Sequence, residues 1–296
     1  MDLAEDIRQF VLATLPYKPE ERSGLVAMNV NALLTTYFNW RSRFVPARPR
    51  KVHLSTALSA NPLASDPLYK PALDQIITSI ETGADLTPYL SKRIKHGYQN
   101  TGQADRQDLD LLLNDWGIHH LHLSTELETG GFVKRTGPLM FAIFRPDDAY
   151  VIDVVNHRAW TRHDVMRVIV REWPNAGFVY HLPGWRLPSP LSDEDHQALR
   201  QGHVMAGIEI DGMLYFPTSM LTTAGVAVQS VQHADDVCQW IRWFEKQVKD
   251  DSAFIARSLA EAGFEPPPNP DLHWEFVGYD GYSVVERHTG AQLQLA

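Results

Sequence analysis

Two short apolar runs joined by a turn constrain this chain more than any other feature of its sequence. Leu139 to Phe144 has no polar side chain, and Tyr150 to Val155 has a single carboxylate, Asp153. Runs this short and this apolar suit strands buried within a core. Arg145-Pro146-Asp147-Asp148 between them has turn chemistry, so the pair predicts an antiparallel hairpin. Just upstream, Ile118 to Leu123 alternates in character and reads as a further strand.

The chain before this hairpin is helical in pattern. Leu3, Ile7, Phe10 and Val11 share one face of a helix over 2–14. Val30, Leu33, Leu34, Tyr37 and Phe38 do so over about 25–44, where Val45-Pro46-Ala47-Arg48-Pro49 ends the helix. Leu73, Ile76, Ile77 and Ile80 mark a third helix, with Gly83 as its cap, and 103–116 reads as a short fourth. After the hairpin, Thr161 and Asp164 have the spacing of a capping box ahead of Val165, Val168 and Ile169. Residues 175–200 are rich in proline and acid and read as a boundary or a long surface loop. Asp211-Gly212 signals a hairpin between 204–210 and 213–216, and Val237, Ile241, Phe244 and Val248 mark a long helix. Strands around Asp280-Gly281 and Thr289-Gly290 close the chain. Helices first and strands later, without regular βαβ alternation, predict an α+β fold. Its parts are a helical N-terminal region, a central antiparallel or mixed sheet bearing a histidine-rich strand, and a C-terminal long helix with β-hairpins.

At 296 residues the chain is about twice a typical domain, so one large domain or two ordinary ones are open. The organisation predicted is a mainly helical region over 1–115, a β-rich core over 116–175 and an acidic α+β region over 176–296. The charge follows that division. Lys and Arg balance Asp and Glu at 13 each over 1–115 and at 7 each over 116–175, whereas 176–296 holds 7 basic and 16 acidic residues. The acidic end repels polyanions and predicts a contact with a protein partner or inhibitor. The neutral part carries basic clusters able to attract polyanions: Arg41, Arg43, Arg48, Arg50 and Lys51, then Lys92, Arg93 and Lys95.

Several chemistries are excluded. A single cysteine, Cys238, rules out an internal disulfide framework and a multi-cysteine metal site. No apolar run approaches the ~20 residues of a membrane-spanning helix. Asp2, Glu5 and Asp6 stand where a secretion signal wants basic residues, so a soluble, cytoplasmic protein is predicted. The P-loop, the G-x-G-x-x-G turn, the G-x-S-x-G elbow and H-E-x-x-H are all missing.

Histidine is the chemical resource that remains. Ile118-His119-His120-Leu121-His122-Leu123 sets three imidazoles within four positions. In a strand, His120 and His122 share one face with Ile118, while His119, Leu121 and Leu123 take the other. Lys134-Arg135 comes next, and His157-Arg158 emerges where the hairpin's second run ends. His163, Arg167 and Arg171 lie four apart on the next helix as a basic strip.

A metal-independent ribonuclease needs this inventory: a base for the 2′-hydroxyl, an acid for the leaving 5′-oxygen, and cations for the phosphorane charge. His122 and His157 are the acid–base candidates, with His120 beside them. Lys134, Arg135 and Arg158 are the phosphate-side candidates. Arg41, Arg43, Arg48, Arg50, Lys51, His163, Arg167 and Arg171 are candidates for RNA contact. Neither a metal nor a cofactor is required. The segment from Phe132 through Arg158 resembles the core hairpin of the RelE- and barnase-like toxin ribonucleases, where a basic residue precedes a strand hairpin and a catalytic side chain emerges near its far end. The resemblance covers about a tenth of the chain. It implies a β-rich nuclease core flanked by helices and a toxin- or phage-defence-like endoribonuclease.

Two other function classes compete. A metal-dependent hydrolase would use His120-x-His122 with His157 and Asp153 as ligands. A non-enzymatic adaptor would keep the histidines as structural side chains and bind a partner through its acidic half.

Overall fold

A computed structural model of the chain describes residues 1–99, 106–156, 163–277 and 281–293. The fold is α+β, with one mixed and two antiparallel sheets. Contacts gather the chain into two compact units. Unit 1 comprises Met1–Phe38, Gly97–Gly102 and Ser230–Ala296, and unit 2 comprises Asn39–His96 and Gln103–Gln229.

Unit 1 begins with α1 (Leu3–Thr14), whose N-cap Asp2 accepts from the Glu5 amide and which buries Leu3, Ile7 and Val11. The helix expected over 25–44 is two: α2 (Arg22–Val26) and α3 (Val30–Arg41). Asn29 divides them, because its side chain accepts from the Ala32 amide at 2.9 Å and caps α3. The Arg8 guanidinium serves the carbonyls of Val26 and Met28 at the end of α2.

Unit 2 is built on a sheet in the order β1-β4-β3-β2, from β1 (Lys51–Leu54), β2 (His119–His122), β3 (Pro138–Phe144) and β4 (Asp148–Asn156). The expected hairpin is β3 and β4, paired antiparallel from Pro138↔Asn156 to Phe144↔Ala149 with one bulge after Phe141. Strand β1 pairs parallel to β4, Lys51 opposite Asp148 and His53 opposite Tyr150.

One face of this sheet is covered by α4 (Thr56–Ala60), α5 (Pro62–Ser65) and α6 (Lys70–Thr82), where Leu73, Ile76 and Ile80 meet Leu121, Met140, Ala142 and Val151. Helix α6 ends at Gly83, whose φ of +77° and approach to the Pro49 backbone leave no room for a side chain. The helix expected over 103–116 is α7 (Leu111–Trp116). Asp110 caps it, and Asp108, upstream, is held by Arg106 at 2.6 Å.

The other face packs Ile118, Leu139, Phe141 and Ile152 against Val165, Met166 and Ile169 of α8 (His163–Glu172). Burial on both faces is why β3 is apolar throughout. The stretch read as a boundary or loop holds β5 (Val179–Leu182) and α9 (Asp193–Gln201). Ser192 and Asp195 form a complete capping box, so the acid-rich run is the first turn of a helix. Strands β6 (Ile208–Ile210) and β7 (Met213–Pro217) join β5 in the order β5-β7-β6. Their turn has positive φ at Asp211 and Gly212, the geometry that dipeptide predicts.

Unit 1 resumes within α10 (Val228–Asp250), followed by α11 (Phe254–Glu261) and the antiparallel β8 (Leu272–Val277), β9 (Gly281–Glu286) and β10 (Ala291–Leu293). Phe10 of α1 packs its ring on Phe276 at 4.6 Å, and the Asp6 carboxylate accepts from the Trp274 amide at 3.0 Å. No described helix is long and apolar enough to cross a membrane.

Candidate functional site

The register of β2 on β3 puts His120 opposite Phe141 and His122 opposite Leu139, both on the face that carries Ile118 and α8. The histidines divide between the two faces as the alternation predicts. His122 is 2% exposed, and its Nδ1 accepts a 3.4 Å hydrogen bond from the Thr136 amide, which assigns its proton to Nε2. His119 points to the other face, where Nε2 meets the Ser42 carbonyl at 3.2 Å. Burial pushes its pKa down to about 4, against the raising effect of Asp110. His120 Nδ1 lies 3.5 Å from Asp110. His157 and Arg158 lie outside the described residues. Asp153 holds the Asn61 amide at 2.6 Å, and among the described residues no group of three histidine, cysteine or carboxylate side chains is placed to hold a metal ion.

The basic residues divide sharply by environment. Arg43 is buried, donating to the carbonyls of Arg93 and His96, and burial lowers its pKa to about 10 against the raising effects of Asp110 and Asp108. Arg50 is buried too, serving the carbonyls of Pro46, Arg48 and Arg145. Both guanidiniums are spent inside the fold and do not face solvent. Arg41 and Arg48 are half-buried, and Lys51 is exposed.

The strip on α8 is engaged with acids along its length. His163 lies 3.7 Å from Asp193, Arg167 bonds Asp164 at 2.7 Å, and Arg171 bonds Asp211 at 3.0 Å. His163 also meets the His196 ring edge-on at 4.7 Å. Beside them Arg200 forms a buried ion pair with Asp115 at 2.7 Å and stacks over Trp116 at 4.2 Å. Burial holds both imidazoles below the ordinary histidine value, His196 at about 4, and raises Asp115 despite Arg200.

A different set of cations converges at the other end of β3. The loop after β2 folds back on itself, Glu128 and Phe132 sharing a backbone hydrogen bond of 2.8 Å, and docks on the 3-10 turn Lys92–Lys95. Lys92 bonds Glu128, Lys134 bonds Glu126 at 3.1 Å, and Lys95 stands over the Phe132 ring at 4.8 Å. The hydrogen bond from Lys92, with the charges of Lys134 and Arg135, holds Glu128 below the usual carboxylate range. Two of the four cations are thus neutralised by the loop's own acids. Lys95 and Arg135 have no carboxylate partner among the described residues. The sequence offered Lys92–Lys95 and Lys134–Arg135 as separate clusters; the docking of the loop makes them one platform.

One constellation was not singled out in the sequence at all. His53 Nε2 lies 2.7 Å from Asp148 Oδ1 across the parallel β1–β4 pair, with the two side chains 28% and 38% exposed. The His53 ring stacks on Tyr150 at 4.6 Å and 13°, and Tyr150 is braced edge-on by Trp173 and Phe178. Arg145, at the hairpin turn, stands over Phe178 at 5.0 Å. Alternation in Lys51-Val52-His53 was the only local signal, and nothing near it announces a partner 95 residues away.

No protein-family model, no curated protein and no solved structure matches this chain significantly.

Proposed function

We propose that this protein binds single-stranded RNA on the platform of Lys92, Lys95, Lys134 and Arg135, and cleaves it without a metal ion. The observation that carries the reading is the docking of two basic segments into one surface. Their excess cations have no acidic partner among the described residues. A phosphate backbone supplies the missing counter-charge, and counterion release drives such binding. The neighbouring Phe132 ring is occupied by Lys95, so the platform reads the backbone rather than the bases.

The test is fluorescence anisotropy with a labelled oligoribonucleotide across a salt series. Replacing Lys95 and Arg135 by Glu is expected to weaken binding at least about tenfold and to flatten the log–log salt slope by ~1.4, the share of two phosphate contacts on a single strand. Affinity and slope equal to those of the native chain overturn the reading. Cleavage that persists in EDTA supports the metal-independent mechanism, and cleavage restored only by zinc or manganese favours the hydrolase. The burial of His119 and His122 favours a second reading, an adaptor that binds without cleaving.

A further inference from the structure

Of the catalytic candidates on the strand motif, His122 is buried and His120 lies beside Asp110. His122 is sealed against β3 and the Thr136 amide, and His119 is held neutral by burial. A proton-transfer group must come within about 3 Å of the atom it serves. His53, with its side chain 28% exposed, is open to solvent. Its Nε2 is bound to Asp148, while its Nδ1 has no hydrogen-bond partner among the described residues. A carboxylate on one ring nitrogen fixes the tautomer and orientation and stabilises the imidazolium that forms when the other takes a proton. The support is rigid. Asp148 and Tyr150 sit on adjacent rows of a central strand, and the stacked Tyr150 ring forms a floor beneath the imidazole.

Two basic residues lie near His53 in the sheet and its turn. Lys51 is exposed two residues before His53, on the same side of β1 and ~7 Å away along the strand. Arg145 closes the turn into β4, its amide donating to the Asp148 carbonyl at 2.8 Å. Among the described residues its guanidinium makes only a long 3.4 Å contact to the Gly177 carbonyl besides its stack on Phe178, so it retains donors for an anion. Burial first, and then Asp148, raise the Tyr150 pKa, while Arg145 opposes them, so all three groups act on one another.

We propose that His53, positioned by Asp148, is the proton-transfer residue of this protein, with Arg145 and Lys51 holding the scissile phosphate of an RNA strand. This rests on the RNA reading above. In the step, neutral His53 takes the 2′-hydroxyl proton at Nδ1. The 2′-oxygen bonds to phosphorus as the bond from phosphorus to the 5′-oxygen breaks. The departing oxygen takes a proton from the Lys51 ammonium, which water recharges, and His53 returns its proton to solvent. The products are a 2′,3′-cyclic phosphate and a 5′-hydroxyl, with no change of oxidation state.

The experiment uses the full chain in EDTA with a fluorogenic oligoribonucleotide and its 2′-O-methyl analogue, which lacks the proton to be removed. Cleavage of the first and not the second is expected. His53→Ala should lower kcat at least ~100-fold with the melting temperature retained. Asp148→Asn should lower kcat and move the acidic limb of the pH–rate profile, a displacement that a merely structural carboxylate would not cause. Native kcat in His53→Ala overturns the assignment and leaves the RNA reading standing. Salt-dependent RNA binding without cleavage by the native chain also overturns it, while sparing the platform. Absence of any RNA binding overturns the platform, and the assignment falls with it.

Discussion

His119, His163 and His196 are all held below the ordinary imidazole value, His119 and His196 at about 4, and burial is the leading cause for each. An unfolded chain titrates its histidines near 6.5, so between 6.5 and 4 the unfolded state binds more protons than the folded one. The stability these groups allow is complete above about pH 6.5 and is lost progressively as the pH falls towards 4. Urea midpoints are therefore expected to drop through that window, and His119→Gln is expected to flatten the drop. A midpoint constant from pH 7 to 4.5 overturns this. At this scale the sequence misleads in an instructive way. Three imidazoles close together look like chemistry, yet what decides their role is what lies on each face of β2, and adjacency along the chain carries no information about depth. His53 shows the converse, a lone histidine whose partner is brought to it only by strand pairing.

Elements were legible where their pattern was two-sided or closed by a cap. The β3–β4 hairpin could be read because both faces of β3 are buried, and α6 because its apolar stripe ends on Gly83. Helix α9 was missed because its polar first turn, Asp193-Glu194-Asp195, resembles a solvated loop. Those acids lie at the positive end of the helix. Ser192→Ala removes the acceptor of the Asp195 amide and is expected to cost about 1 kcal/mol in urea unfolding. A change within measurement error argues that tertiary packing alone fixes this helix.

At the scale of the whole molecule, the second core of unit 2 is completed late in the chain, by Phe178, Ile208 and Ile210 against Phe141, Ile152 and Ile169. A fragment of residues 1–175 lacks that cover and is expected to be insoluble or to melt without cooperativity. A soluble fragment with a sharp transition overturns the expectation. Strand pairing across long separations is the part of a fold that local patterns do not encode, which is why β1 was not seen as part of the central sheet.

Unit 1 carries that separation furthest, since its first 38 residues share the unit with the stretch that starts at Ser230. Phe10 waits for Phe276, and Asp6 for the Trp274 amide. At a synthesis rate of ~5–20 residues per second, the intervening stretch delays that meeting by roughly 13–53 s. Helix α1 lacks its contact with β8 during this interval, while unit 2 is already emerging. The newborn chain thus holds α1 without its β8 contact for longer than most small domains take to fold.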